Sequence, residues 1–149
     1  MRNPLWLFFL VFWLSGTGLA ADTEIVPGKR VGPFRLGMTA NQIRQQLGPP
    51  TSRRPNDVNT IWVYSKFGLE FDMGLDGVDE IRVKTSRYAT SEGVRVGMSQ
   101  AEAEQALGPP SFREADLLAY AEGDTVVLML GVSQGKLQWI SVIKVGKWW

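Results

Sequence analysis

The order of apolar and polar positions in this chain predicts two short helices, each followed by strands. Ile43 and Leu47 lie four residues apart, which is the spacing of one helix face. Residues 69–73 alternate apolar and acidic side chains, the pattern of a strand with one buried face. Residues 126–130 are apolar without a break, which indicates a strand covered on both faces. The predicted strands cover residues 60–64, 69–73 and 78–84 in the first half, and 117–121, 125–130 and 137–145 in the second.

Both predicted helices carry a start signal and a stop signal. Thr39 and Gln42 have the spacing of a capping box, in which each side chain bonds the other residue's backbone N–H. Gly48 and the prolines after it end this helix, because glycine accepts a positive φ and proline cannot continue a helix. Ser99 and Glu102 repeat the capping box in the second half. Helices of about eight residues are marginal alone, so each needs a surface to pack on.

The two helical segments are copies of each other. Residues 37–50 and 97–110 both begin with Gly-Met and both end with Leu-Gly-Pro-Pro, which indicates a tandem duplication. We therefore predict an α+β fold of two tandem repeats, each a short helix packed on a three-stranded antiparallel meander. The first repeat is expected to cover residues 21–88 and the second residues 89–149. Residues 51–59 are predicted to form a polar loop, the most mobile internal segment.

Residues 1–20 have the features of a signal peptide. A positive charge at Arg2 precedes an unbroken apolar run from Leu5 to Leu14, and small residues follow. Cleavage is expected between Ala20 and Ala21. The run is about half the ~20 residues that a membrane-spanning helix needs, although an uncleaved anchor remains an alternative. Since the sequence has no cysteine, we expect no lipid anchor. The protein is expected to be exported, and to be periplasmic or secreted.

Composition removes several classes of function. The sequence has 16 basic and 15 acidic residues, which is not the basic excess of a nucleic-acid-binding protein. It contains neither histidine nor cysteine, so the usual general base, thiolate nucleophile and zinc ligands are missing. We predict no enzymatic activity, no cofactor and no metal. Glu70 and Asp72 could form a carboxylate pair of a hydrolase, but a solvated strand face is the simpler interpretation. The segment from Asp72 to Glu80 is similar to a calcium loop but lacks ligands that such a loop requires.

The motif order resembles that of a known superfamily. Gly-Met-Thr, a helix, Leu-Gly-Pro-Pro, a polar loop, Trp62-x-Tyr64 and a later valine-containing strand are similar to the BamE (SmpA/OmlA) superfamily. They also resemble the tandem modules of the beta-lactamase inhibitor protein. The resemblance implies a non-enzymatic envelope or secreted module that contacts other proteins. A role in assembly or maintenance of the cell envelope is one such function.

The aromatic residues are the best candidates for binding a partner. Trp62, Tyr64, Trp139, Trp148 and Trp149 are rigid rings of the type that dominates contact energy at interfaces. We expect the partner to be an envelope or extracellular protein. The alternative is a small-ligand or cell-wall-polymer binder that uses Trp62, Tyr64 or Trp139 as a stacking platform. Trp62 could also cover the helix, and Trp148 and Trp149 could be docked or free.

The predicted cleavage site gives the first test. We expect amino-terminal sequencing of the exported protein to begin at Ala21, because small residues at Gly18 and Ala20 direct the cut there. A purified exported chain that still begins at Met1 would contradict this prediction and would favour an uncleaved anchor.

Overall fold

The computed structural model describes residues 22–144 of the chain. Its regular elements, in chain order, are strands β1 Glu24–Val26, β2 Arg30–Val31 and β3 Phe34–Arg35, helix α1 Ala40–Leu47, strands β4 Ser52–Pro55, β5 Thr60–Tyr64, β6 Leu69–Gly74, β7 Gly77–Val83 and β8 Ala89–Thr90, helix α2 Gln100–Leu107, and strands β9 Phe112–Glu114, β10 Leu117–Glu122, β11 Thr125–Ser133 and β12 Lys136–Ile143. A single turn of 3-10 helix, Ser65–Phe67, lies between β5 and β6.

The strands form two sheets. The large sheet has eight strands in the order β4-β5-β6-β7-β12-β11-β10-β9, and every pairing in it is antiparallel. The small sheet has four strands in the order β3-β2-β1-β8. The described part of the chain contains no helix long and apolar enough to cross a lipid bilayer. Residues 22–144 are therefore mostly β, with two short helices.

The prediction of an α+β fold of two tandem repeats, each a helix on a three-stranded meander, is wrong, because the described residues are mostly in strands. Each half contributes four strands rather than three, and β7 pairs with β12 to make one continuous sheet. The extra strands β4 and β9 come from polar segments that carry no apolar alternation, so the pattern did not reveal them. β4 lies in the segment 51–59 that was predicted to be a loop. The small sheet was not predicted, because its strands are only two or three residues long and too short to show an alternating pattern.

The proposed boundary between residues 88 and 89 stays a prediction. It falls directly before β8, which pairs in parallel with β1 near the start of the described residues. In that pairing Glu24 lies opposite Ala89 and Ile25 lies opposite Thr90. The small sheet thus joins segments from both sides of the proposed boundary.

The helix signals in the sequence are confirmed. Thr39 and Gln42 form a complete capping box at α1, and Ser99 and Glu102 form the same arrangement at α2. Gly48 and Gly108 end the helices with φ angles of 76° and 82°. These devices depend only on neighbouring residues, which is why the sequence was sufficient to place both helices.

Each helix is attached to the large sheet at both ends. At the start of α1, the Gly37 N–H donates to the Val78 carbonyl at 2.7 Å, and the Val78 N–H donates to the Met38 carbonyl at 2.9 Å. A side chain at Gly77, which has a φ of 107°, would collide with the carbonyl oxygens of Gly37 and Met38. At the end of α1, the Tyr64 hydroxyl donates to the Gly48 carbonyl at 3.0 Å. Tyr120 and Gly108 make the corresponding bond, of 3.1 Å, at the end of α2.

The core lies on one face of the large sheet, which we call the core face. Two rows of residues opposite one another on successive strands cross this face, as the strand register shows. One row is Arg53, Trp62, Phe71, Ile81, Val142, Leu128 and Tyr120, and the other is Arg113, Leu118, Leu130, Ile140, Val83, Leu69 and Tyr64. Each row begins with an arginine on an edge strand and ends with a tyrosine. The helices and the small sheet cover these rows.

Phe71 joins the layers of the core. Its ring makes edge contacts with Phe34 of the small sheet, at 5.3 Å between centroids, and with Tyr64 of β5, at 5.7 Å. Phe71 is fully buried. The aromatic contacts add to the large apolar area that the ring removes from water.

Truncation of Phe71 is expected to be strongly destabilising. Phe71→Ala removes the ring that both sheets contact, and we expect the free energy of unfolding to fall by about 3–5 kcal/mol. Urea denaturation followed by circular dichroism measures this change. Leu75→Ala is the control, because Leu75 is fully exposed and its truncation should change stability by less than about 0.5 kcal/mol. Similar losses for the two variants would contradict the assigned core.

Candidate functional site

The second face of the large sheet, which we call the outer face, is divided into a charged part and an apolar part. One row of opposed residues crosses it as Ser52, Val63, Glu70, Arg82, Ser141, Met129, Ala119 and Phe112. Strands β4 to β7 contribute the charged residues, and strands β9 to β12 contribute most of the apolar ones. A surface with charged and apolar side chains in one plane can bind a partner through both polar and apolar contacts.

A cavity of about 240 Å³ lies in the charged part of the outer face. Its lining residues are Arg54, Asn56, Ile61, Glu70, Asp72, Glu80 and Arg82. All of them come from β4 to β7 or from the turn after β4. The strand alternation places them on the outer face because Trp62, Phe71 and Ile81 take the core side of the same strands.

Glu70 is the most enclosed acid of this cavity. Only 8% of its side chain is exposed, and its carboxylate accepts from Arg54 at 2.8 Å and from Lys84 at 2.5 Å. Burial by itself raises the pKa of the Glu70 carboxyl. The hydrogen bonds and charges of Lys84 and Arg54 outweigh that effect and hold the pKa below its ordinary value of 4.5. Glu70 is therefore a charged residue that stabilises the sheet, and both of its oxygens are in use.

Glu80, Ser141 and Arg82 form a cluster across the junction of β7 and β12. The Ser141 hydroxyl donates to Glu80 at 2.6 Å, and Arg82 donates to Ser141 and to Glu80, at 3.0 Å each. Ser141 is fully buried. The cluster satisfies the polar groups at the point where the two halves meet, as buried polar groups require.

Asp72 is the least satisfied acid of the cavity. One of its oxygens accepts from the Asn56 amide at 3.0 Å, while Oδ1 is buried without a hydrogen-bond partner among residues 22–144. Glu80 lies directly opposite Asp72 on β7. Like charges in that position repel each other.

Trp139 lies between the charged and apolar parts of the outer face. The guanidinium carbon of Arg82 is 4.2 Å from the centroid of its indole, a cation–π contact. On the next strand its indole packs flat against Gly131, where a Cβ would collide with the ring. Gly131 thus lets the large side chain lie along the sheet, and Trp139 remains half-buried.

The apolar part continues from Trp139 to the edge strand β9. Leu117 and Met129 are half-buried, and 51% of Phe112 is exposed. Within the described residues, none of these three side chains, nor Trp139, belongs to the core or packs against it. The feature is a group of large apolar side chains outside the core, which in a monomer is typical of an interaction surface.

The predicted aromatic candidates fall in different places. Trp62 and Tyr64 point to the core face and are 8% and 2% exposed, so neither forms an open surface of rings. Trp139 is on the outer face. Trp148 and Trp149 lie outside the described residues. Sequence reasoning missed Phe112, since β9 was not predicted, and the alternation of β5 alone could not say which of its faces is buried.

The tyrosines that end the helices have shifted acidities. Burial raises the pKa of Tyr64, and the positive charges of Arg44 and Arg53 oppose that shift. Burial also raises the pKa of Tyr120, and the negative charge of Glu104 adds to it while Arg113 opposes it. Both hydroxyls are therefore neutral donors to the helix-end carbonyls at physiological pH.

The acidic residues do not assemble a metal site in the part of the chain that the structure describes, where no group of three or more potential ligands is found. Glu70 and Asp72 share the outer face of β6, as predicted from their spacing. Their environments differ, because Glu70 is held by two cations and Asp72 by one neutral amide. A carboxylate-dependent reaction would have to use Asp72 and Glu80 instead.

No protein-family model matches the chain, and no curated protein matches it. Solved structures do. A cysteine-rich secretory protein from Staphylococcus aureus subsp. aureus Mu50 matches 83% of this chain with a TM-score of 0.55 and 14% identity. An extracellular protein containing a SCP domain, from Bacillus anthracis str. Ames, matches 74% with a TM-score of 0.49 and 11% identity. A DUF4309 family protein from Bacillus subtilis subsp. subtilis str. 168 matches 78% of this chain and 88% of its own, with a TM-score of 0.48 and 14% identity.

These similarities concern the fold alone. The chain spans about half the length of the first two proteins, 49% and 44%. The predicted resemblance to the BamE (SmpA/OmlA) superfamily and to the tandem modules of the beta-lactamase inhibitor protein is wrong, because the fold matches that of a cysteine-rich secretory protein with a TM-score of 0.55. The motif that suggested it encodes a capped helix and its stop. That device is local and many folds can share it.

The ion pairs of Glu70 predict a dependence of stability on pH. Since the folded pKa is lowered from 4.5, the carboxylate adds stability above that ordinary value, and this stability is lost as the pH falls through the folded pKa. We expect Glu70→Gln to lose less stability than the native protein as the pH falls below 4.5 and through the lowered folded pKa, as measured by urea denaturation. Glu114→Gln, at an exposed position on β9, is the control and should follow the native curve. A native curve that is flat over this range would contradict the prediction.

Proposed function

We propose that this protein is an exported, non-catalytic module that binds another protein through the apolar part of its outer face. The observation that carries the proposal is the group of apolar side chains Phe112, Leu117, Met129 and Trp139, which lies outside the core of the described chain. Exposed apolar side chains of this kind promote binding, because the complex removes their surface from water and is stabilised by it.

Two observations support export. The amino-terminal 20 residues have the charge, apolar run and small residues of a signal peptide. The structural neighbours are described as an extracellular protein and as a cysteine-rich secretory protein. The finer proposal is that the protein is periplasmic or secreted and that its partner is an envelope or extracellular protein.

A non-catalytic role is supported by the chemistry of the outer face. The chain has no histidine and no cysteine, and both oxygens of Glu70 are in ion pairs. The Glu70 carboxylate therefore stabilises the sheet through its ion pairs and is not available as a general base. We therefore propose that the charged part orients the partner and that the apolar part supplies most of the binding energy.

The alternative, a small-ligand or cell-wall-polymer binder, has less support. Trp62 and Tyr64 are buried, which leaves Trp139 as the one predicted platform ring on the surface of the described chain. The cavity beside it, of about 240 Å³, is smaller than the ~300–1,000 Å³ of most ligand pockets. A protein partner fits a broad and shallow face better than a ring-lined cleft would.

Charge substitutions in the apolar part test the proposal. Phe112→Glu and Leu117→Glu place a carboxylate where the partner would bury apolar surface. We expect each to reduce recovery of the partner at least about tenfold, equivalent to about 1.4 kcal/mol of binding free energy. The measurement is affinity purification of the tagged protein from its native envelope and medium, with quantitative mass spectrometry of the proteins that co-elute.

The matched control is Leu75→Glu, since Leu75 is a fully exposed leucine in the turn between β6 and β7. It adds the same charge outside the proposed interface and should leave recovery unchanged. If all three variants recover the same proteins in the same amounts as the native chain, the outer face is not the binding surface and the proposal is wrong.

A further inference from the structure

Two arginines lie against one tryptophan ring at an end of the core face. Arg44 is in the last turn of α1, and Arg53 lies in β4 directly opposite Trp62. Their guanidinium carbons are 5.6 and 4.8 Å from the centroid of the Trp62 ring. We propose that this Arg44–Arg53 pair is a binding site for an oxyanion, either a phosphate or a carboxylate group. The site is on the side of the large sheet opposite the outer face, so it does not rest on the proposed function.

The second half of the chain contains the same arrangement with its charge balanced. Glu104 occupies in α2 the position that Arg44 has in α1, and Arg113 lies in the edge strand β9 as Arg53 does in β4. Arg113 and Glu104 form two parallel hydrogen bonds of 2.7 Å each. This bidentate geometry is the strongest that a guanidinium makes with a carboxylate. Where the helix carries an acid, as α2 does at Glu104, that acid pairs with the arginine of the edge strand.

The first half keeps the arginine on the strand and replaces the acid by a second arginine. Arg44 donates to the Asn41 side chain at 2.5 Å, and within residues 22–144 neither Arg44 nor Arg53 takes part in an ion pair. Both side chains are exposed. Two like charges are thus held near one ring with no carboxylate between them. An anion that accepts hydrogen bonds from both guanidinium groups would balance them, as Glu104 balances Arg113.

Trp62 explains how the two cations stay in place. Its ring is 8% exposed and forms the base of the site, and cation–π attraction keeps each guanidinium near it. The equivalent position beside Arg113 is Leu118, which has no such attraction. There the ion pair with Glu104 holds the arginine instead. The ring therefore occurs in the half where the arginines lack an acid.

Arg44→Glu is the decisive variant, because it recreates the Glu104–Arg113 pair in the first half. We expect it to weaken oxyanion binding more than tenfold and to raise the urea midpoint of unfolding, since Arg53 gains an ion-pair partner. Binding is measured on the 15N-labelled exported protein by NMR, from the shifts of the Trp62 indole N–H and the Arg53 Nε–H. The probes are inorganic phosphate and N-acetylglutamate at constant ionic strength, with chloride as the control anion.

Lys66→Glu is the matched control, because Lys66 is another exposed cation beside an aromatic ring, at 5.8 Å from Phe67. It should bind both probes as the native chain does. Saturable shifts with phosphate alone would identify a phosphate-bearing ligand, and shifts with N-acetylglutamate alone would identify an acidic side chain or terminus. Arg53→Gln serves as a second variant if Arg44→Glu does not fold.

If chloride produces the same shifts as the oxyanions, or if Arg44→Glu and Arg53→Gln bind the probes as well as the native chain, the two arginines only cover Trp62. A partner lost through Phe112→Glu but retained by Arg44→Glu would leave the proposed function standing and would place that partner's contacts on the outer face alone.

Discussion

The antiparallel pairing of β7 with β12 is the constraint on which the rest of the structure depends. It sets Ile81 opposite Val142 and Val83 opposite Ile140, and all four side chains are buried. Without this pairing each half would have an open, apolar inner edge, a form that invites pairing with other chains. With it, the remaining edges of the large sheet are β4 and β9, which are short, exposed at every residue and rich in charge. The junction therefore turns two unstable units into one sheet.

A continuous sheet also has continuous faces, and the two faces have separated roles. The core face collects the rows that the helices and the small sheet cover. The outer face consists of a charged part and the apolar group Phe112, Leu117, Met129 and Trp139. Because successive side chains point to opposite faces, a shift of one residue at the junction would exchange these sets. Core stability and the candidate binding surface are thus set by the same register.

The two halves share a framework but differ where they meet solvent. Both have a capped helix, a glycine at the helix end and a tyrosine bonded to that glycine. They differ in what neighbours the arginine of the edge strand. In the first half Arg53 lies near Arg44 and Trp62, and in the second half Arg113 pairs with Glu104. The shared features are those that the framework needs for packing. The neighbours of the edge-strand arginine are not required by that framework, so they can differ and can contribute to ligand binding.

The sequence by itself determined the elements whose cause is local. The capping boxes at Thr39 and Ser99, the helix ends at Gly48 and Gly108, and the alternation of β6 each depend on residues within a few positions of one another. Nearly all long strands therefore lie close to their predicted ranges. The candidate site was less predictable. Of the three predicted rings that the structure describes, Trp139 is on the outer face, while Phe112 on the unpredicted strand β9 was missed.

The tertiary structure alone decided which strands pair and which face of each is buried. An alternating strand has two possible faces, and the choice at Trp62 or Ile61 depends on the neighbouring strands and the layer that covers them. The pairing of β7 with β12 joins residues about 60 positions apart in sequence, and the pairing of β1 with β8 joins residues 65 apart. Local patterns carry no information on such contacts, because their free energy comes from apolar surface that is buried only when the whole sheet has formed.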